Sequence, residues 1–409
     1  MSIISFFRNL NQFTVSIFIL SIVLEAYMTE HVQRERTTAT NLAPSVLISG
    51  ASFAGLAAAW WMNKLGYSVT VVEIAKGLRK GGTPVNIRDG VIDVVRRMNL
   101  LERIKSENLP PRPMTFLDSH GSPLPLDLSQ AEEQPEEEYE IERDVLLDML
   151  FGEVRDHVEF SFGDSISGLE EFADEVAVTF ASGKQRSFSL VLGCDGTHSA
   201  VRRMYFGEES SFLLFLQCYF SLTIVEKLLI EEDTSQMLNV AGKAVMLNAY
   251  NGKTDIAFCF SSEKEIDYDR RNTDEQKRMI RENFENGGWR TRELLDEMGR
   301  CEDFYFDKLC QIRMRSWSKG RVALVGDASY CPSPAAGMGG SVAILGAAAL
   351  ADALGKHPGD LKAAFKAYDE SFRPTVEAIQ TQAVEFGLEM FLPRSEEAIQ
   401  ERNVRLSIR

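Results

Sequence analysis

A chain of 409 residues, 44% hydrophobic and 25% charged, has the composition of an ordinary globular protein and suffices for one large domain or two medium ones. Its formal net charge of −16 argues against sequence-independent nucleic-acid binding, which needs a basic footprint to neutralise phosphates. Six cysteines (Cys194, Cys218, Cys259, Cys301, Cys310 and Cys331) lie scattered, with no C-x-x-C pair and no clustering with the five histidines. They read as free thiols of a reducing, cytoplasmic compartment, and no metal site is expected.

Residues 1–43 read as an N-terminal extension. Phe13 to Leu24 is apolar but spans about a dozen residues, short of the roughly 20 that a membrane-crossing helix needs. Three readings stay open there: an over-extended gene start with Met28 as the natural first residue, a weak signal or membrane anchor, and ordinary structure. No membrane association is expected of the remainder. From Pro44 the pattern becomes regular. Ser45 to Ser49 reads as a buried parallel strand, Ala54 to Leu65 as a helix closed by Gly66, and Ser68 to Glu73 as a second strand. Together they make a βαβ unit of the dinucleotide-binding kind.

Val91 to Ile104 has helical periodicity, and Thr115 to Leu128 reads as a hairpin turning at His120-Gly121. The run Glu132 to Glu138 is expected to be an exposed acidic loop, after which Ile141 to Leu150 opens a helix. Val176 to Phe180 and Ser187 to Leu192 read as strands. Phe212 to Ile224, Ala244 to Ala249 and Asp255 to Phe260 are rich in β-branched and aromatic residues without helices between them, which predicts a separate, mostly antiparallel sheet. Helices are expected over Thr273 to Phe284, Arg292 to Met298, Ser341 to Leu354 and Leu361 to Leu392, the last kinked or broken by Pro374. The expected fold is α/β. A Rossmann-like cofactor domain (44–113, 139–205, 301–358) carries a discontinuous antiparallel β-sheet substrate domain (114–138, 206–300), with a long C-terminal helix in 359–409.

Three segments carry chemistry. Gly50-Ala51-Ser52-Phe53-Ala54-Gly55 joins the first strand to its helix. The first glycine makes the tight turn, the last lets helix and strand pack closely, and the helix N-terminus offers free N–H groups to a pyrophosphate. Serine stands where the fingerprint has its middle glycine. Glu73, ending the second strand, can accept a ribose hydroxyl. The second segment, Cys194-Asp195-Gly196-Thr197-His198-Ser199-Ala200-Val201-Arg202, reads by itself as a strand-to-helix turn with a capping aspartate. The third, Arg321 to Gly340, reads as a buried strand ending at Gly326-Asp327, a proline-stiffened loop through Pro334, and glycines opening a helix.

With these segments in this order, the chain resembles the class A flavin monooxygenases from about Ser45 into the 390s. Within that family it is similar to the tetracycline destructases through Asp303 to Asp307, Gln311 to Gly320 and Gly326 to Pro334. The resemblance implies FAD as cofactor and NADPH as cosubstrate. Gly50, Ser52 and Gly55 would meet the FAD pyrophosphate, Glu73 the adenosine ribose, and Arg143 the ribityl and pyrophosphate portion. Asp195 and Gly326 belong to the same cofactor set. Asp327 would bond the ribityl chain and Pro334 would lie beside the isoalloxazine. Gly337, Met338 and Gly339 would border its N1–C2=O2 edge, where an aligned helix N-terminus stabilises the charge of reduction. One atom of O2 would pass, through a C4a-hydroperoxide, into an electron-rich aromatic or polyketide substrate, a tetracycline first among them. The chemistry is the cofactor's, so no catalytic side chain is nominated.

Relatives carry Gly-Gln-Gly and then Asn where this chain has Gly337-Met338-Gly339-Gly340-Ser341. That difference keeps two other classes open: a flavin oxidoreductase without oxygen insertion, and a flavin-loaded protein that sequesters a drug. Met338, Phe386 and Met390 are candidate substrate contacts. Trp289, Trp317 and Phe304-Tyr305-Phe306 read first as packing and second as pocket walls. Arg79, Lys80 and Arg88 read as solvated loop charges or cofactor contacts, and His198 as a hydrogen-bonded residue. A monomer acting on a small molecule is expected.

Overall fold

The computed structural model describes residues 43–127 and 137–407. The N-terminal extension and most of the acidic run lie outside the described residues. Among those described, no helix is long and apolar enough to cross a membrane.

Apolar strands buried on both faces need helices on both sides, and the first half of the fold supplies them. Its six-stranded sheet runs, edge to edge, Ser318–Lys319, Val322–Leu324, Leu190–Gly193, Ser45–Ser49, Ser68–Glu73 and Glu159–Phe162. Every neighbouring pair is parallel except the two-residue edge strand. Val46, Leu47, Ile48, Leu190, Val191 and Leu192 are fully buried. Helix Phe53–Lys64 is apolar all round, with ten of its 12 residues buried, as a helix inside a core must be. Helix Gly339–Lys356 packs against it.

The second sheet runs Phe304–Ile312, Leu213–Val225, Lys253–Ser261, Lys243–Tyr250, Thr234–Val240 and Met114–Leu117, and all but the last pairing are antiparallel. Alternation divides its residues between two faces. Tyr219, Ile256, Phe258 and Phe306 pack against helices Thr273–Phe284 and Thr291–Arg300. Phe220 and Asp307, directly opposite each other, lie on the other face.

The α/β architecture with a second, antiparallel sheet is as the sequence predicts, and the differences are local. Strand Phe304–Ile312 is hydrogen-bonded into the second sheet, although residues 301–358 read as part of the cofactor domain. Thr234–Val240, too polar to stand out in the sequence, is a full strand of that sheet. The run Ser187 to Leu192 divides between two sheets, Gln185–Phe188 joining a three-stranded one and Leu190–Gly193 the parallel one. The hairpin expected from Thr115 is short: the antiparallel bridge Leu117 to Pro123 joins its arms, and it turns at His120-Gly121, where Asp118 accepts from the backbone N–H groups of His120 and Ser122 (2.8 Å each), while Leu128 lies outside the described residues. The helix over Val91 to Ile104 breaks near Asn99, which sits at φ 59°, a conformation asparagine tolerates.

Pro374 does not end the last long helix, which runs from Leu361 to Gln382. Pro374 and Glu370 are exposed, so the carbonyl deprived of its partner faces water. The helix changes instead at Ala383–Leu388, a π-helical turn, before Glu389–Phe391 and a final helix Glu396–Leu406. Trp317 is packing: it is 1% exposed, with Tyr330, Tyr368 and Phe372 around it.

Candidate functional site

The first glycine turn is built by close approach. Gly50 has φ +104°, and a Cβ there would lie 2.4 Å from the Cys194 carbonyl oxygen. A Cβ on Gly55 would lie 1.9 Å from the Gly50 oxygen. Neither position admits a side chain. Ser52 begins the helix without a side-chain cap, leaving first-turn N–H groups unpaired within the helix. The Glu73 carboxylate steadies the turn, accepting from Ala51 N–H (2.8 Å) and Ala75 N–H (2.9 Å). Each of its oxygens keeps a second lone pair for a hydroxyl.

Arg143 opens helix Arg143–Val154, yet its guanidinium lies 5.3 Å from the Phe53 ring centroid. Its Nη1 donates to the Arg79 carbonyl (2.9 Å), and Gly82 makes room for its stem. Burial holds this guanidinium below its usual pKa, and the nearest ion-pairing carboxylate, Asp144, stands 3.7 Å away. A partly buried cation beside an uncapped helix N-terminus is an arrangement that awaits an anion.

The aspartate of the second segment serves its own turn. Asp195 accepts from Ser199 Oγ at 2.5 Å and from Val201 N–H at 3.0 Å, and burial pushes its carboxyl up. The fully buried Arg202 ties this turn to the third segment, donating to the carbonyls of Ala328 (2.8 Å) and Thr197 (2.6 Å).

In the third segment Gly326, at φ +70°, brings two helices together: a Cβ there would lie 2.8 Å from that of Ala54 and 3.4 Å from that of Ala343. Asp327 lines a cleft with Pro334 and Gly339, and Phe220, Tyr305 and Asp307 of the second sheet line the same cleft. Desolvation pushes the Asp327 carboxyl up to about 6, offset only by the Cys331 thiol. A carboxylate so poor in donors fits a ligand hydroxyl. Gly337 takes a left-handed conformation (φ +64°), and Gly339 then opens an 18-residue helix that no side chain caps. Met338 is 8% exposed with its sulfur 3.8 Å from Arg88 Nη2, and the Ser341 hydroxyl bonds the Asn86 carbonyl.

An anion cradle, a donor-poor carboxylate and a second uncapped helix end thus fit FAD, at its pyrophosphate, ribityl hydroxyls and flavin edge respectively. The family described as "FAD binding domain" matches residues 44–383. A flavin-dependent monooxygenase from an unknown prokaryotic organism is 36% identical over 370 residues, 88% of this chain and 94% of that one. The chain belongs to the FAD-dependent monooxygenases.

An uncharacterized protein of Mycobacterium tuberculosis is 40% identical to this monooxygenase over 348 residues, 82% of this chain and 91% of its own. The crystal structure of tetracycline destructase Tet(55) is similar to it with a TM-score of 0.78 and 35% identity, covering 89% of this chain and 95% of that one.

Asp307, which lines the cleft of this monooxygenase, is held by residues whose part the sequence did not disclose. His198 bridges two carboxylates, Glu209 at 3.1 Å from Nδ1 and Asp307 at 3.0 Å from Nε2. Burial disfavours its charge, but the bonds to Asp307 and Glu209 outweigh that and raise its pKa. Glu209, despite burial, is held down at about 2 by His198 and Arg270. No local signal sets Asp307 apart, because its strand also holds Lys308 and Gln311. Two candidate substrate contacts lie elsewhere: Met390, 1% exposed, packs with Phe116, Met237 and Leu406, and Phe386 packs against that cluster. Neither lines the cleft described above.

Proposed function

We propose that this protein is an NADPH-consuming monooxygenase that places one atom of O2 on an electron-rich aromatic or polyketide substrate and releases the other as water, with a tetracycline as the first candidate. The reading is carried by one observation: Asp327, Pro334 and Gly339 share a single cleft with Phe220 and Tyr305 of the antiparallel sheet. That sheet would present the substrate to the flavin. The likeness to a tetracycline destructase at 35% identity supports the substrate class.

FAD, when bound, would relay the two electrons of NADPH and supply the activation of oxygen. The chain's own residues do the rest. Arg143 and the amides after Ser52 hold the pyrophosphate, with Gly50 and Gly55 allowing the approach. Glu73 accepts from the adenosine ribose and Asp327 from the ribityl chain. Amides opening helix Gly339–Lys356 stabilise negative charge at the flavin edge, while Pro334 and the sheet wall exclude water. Asp195 acts by shaping its turn. Met338 borders the cofactor loop, and with Phe386 and Met390 it is a candidate for a substrate contact. NADPH binds transiently, without a nucleotide fold of its own, and the protein acts as a monomer in the cytoplasm.

The test is aerobic NADPH oxidation by the FAD-loaded protein across a panel of tetracyclines and phenols, with product masses. Stimulation by one ligand and a product heavier by one oxygen atom is expected. NADPH oxidation with an unoxygenated product would instead establish an oxidoreductase. Ligand binding without turnover would establish a sequestering protein.

A further inference from the structure

The loop that borders the proposed flavin edge is not held by its own sequence. Ser333, 1% exposed, sits at φ 83° and ψ 146°, a region that residues with a side chain rarely occupy unless the surroundings force it. The forcing comes from the C-terminal helix, through two contacts.

Gln380, 3% exposed, donates its side-chain amide to the carbonyls of Ile312 (2.9 Å), Tyr330 (3.3 Å) and Cys331 (3.2 Å). Gln311, itself fully buried, donates to the next carbonyl, Pro332 (3.3 Å), and to the backbone of Gln380 (2.6 Å). Three consecutive carbonyls leading into Ser333 are therefore pinned. One turn later the helix widens to π geometry over Ala383–Leu388, and its buried Gly387 lies against the Pro334–Ala336 turn. A Cβ on Gly387 would stand 2.1 Å from the Ala335 carbonyl oxygen, so only glycine permits the contact. Glycine is a poor helix former, and single π turns occur mostly where function demands them. The neighbouring Leu388 packs with Leu216, Cys218 and Leu309 of the second sheet, which ties the same turn to the sheet wall.

We propose that Gly387 and Gln380 are positioning residues for the flavin. They set the height of the Tyr330–Gly337 loop, and with it the distance of Pro334 and the Gly339 amides from the isoalloxazine. The inference rests on the reading that this loop borders the flavin edge. It assigns to the C-terminal helix a task distinct from any contact with substrate.

Gly387→Ala adds a methyl group against the Ala335 carbonyl, and Gln380→Met removes the three hydrogen bonds at similar volume. Each variant is compared with the wild-type holoenzyme and with Gly152→Ala, whose added methyl meets nothing within 4 Å. Each is first shown to be folded by circular dichroism. The readouts are the FAD dissociation constant, the visible absorption of bound flavin, and its midpoint potential. Gly387→Ala is expected to weaken FAD binding by about tenfold or more, roughly the loss of one good contact, and to change both absorption and potential. Gln380→Met is expected to change them in the same sense, and Gly152→Ala to leave all three as in wild type. A folded Gly387→Ala with wild-type affinity, spectrum and potential would overturn the proposal. If Gly387→Ala does not accumulate as folded protein, Gln380→Met decides on the same criteria. A wild-type protein that takes up no FAD would overturn the flavin reading itself.

Discussion

The two walls of the cleft are made in different ways. On the parallel-sheet side the site is mostly backbone: glycines at Gly50, Gly55 and Gly326, uncapped helix ends at Phe53 and Gly339, and one donor-poor carboxylate at Asp327. On the antiparallel side it is side chains, Phe220, Tyr305 and Asp307, the last held by charge through His198 to Glu209. Backbone approach allows no substitute atom, whereas an ion-pair network can be tuned by pH or by exchange of a partner. The first wall suits an invariant cofactor, and the second suits a variable substrate.

Substitutions can break that contrast, and the largest effect is expected at Gly50. Gly50→Ala forces a side chain onto φ +104° and into the Cys194 carbonyl. It should cost about 2 kcal/mol or more of apoprotein stability, by analogy with other strained positions, and abolish FAD retention on gel filtration. Asp327→Ala comes next. It removes the proposed partner of the ribityl chain, so FAD affinity should fall about 10- to 100-fold, the worth of a hydrogen bond to a charged group. Tighter FAD binding in the variant would remove that contact from the account.

On the opposite wall a pH effect is expected instead. Because the folded-state pKa of His198 is raised, its bridge contributes fully below the unfolded value near 6.5 and is lost as pH rises through the folded value. The stability advantage of wild type over His198→Gln should therefore shrink as pH rises above about 6.5, as measured by urea denaturation. At the acid end, Glu209, held at about 2, contributes stability above its unfolded pKa and loses it as pH falls toward 2. A pH-independent difference would mean that His198 acts by shape alone. The smallest effect is expected away from both walls. Gly152→Ala in helix Arg143–Val154 should add up to about 1 kcal/mol of stability by helix propensity and leave FAD affinity unchanged.

How far each wall could be read from sequence follows from the same contrast. Gly50, Gly55 and Gly326 announce themselves because a missing side chain in a strand-to-helix turn has few explanations. The strand Ser68–Glu73 was legible to its last residue, since an apolar run ends there at a buried carboxylate. Asp307 stands out in the sequence only through a resemblance, and His198 only as a hydrogen-bonded residue. Their partners lie 11 and 109 positions apart in sequence, and no local pattern links them. For Phe386 and Met390 the sequence shows only an apolar helix face. An apolar helix face tells that something covers it, but not whether the cover is substrate or, as Phe116 and Met237 show, another part of the chain. Pro374 carried the usual penalty of a helical proline, but its neighbour's free carbonyl turned out to face water.

The sequence by itself determined the α/β fold, the βαβ unit and the three strand-to-helix turns, because turn geometry, apolar runs and helix starts are local properties. Only the tertiary structure decided which residues form the second wall, what Asp195 bonds, and why a glycine sits in the last helix at position 387. Those depend on groups that are distant along the chain and meet only when the two sheets close over one cleft.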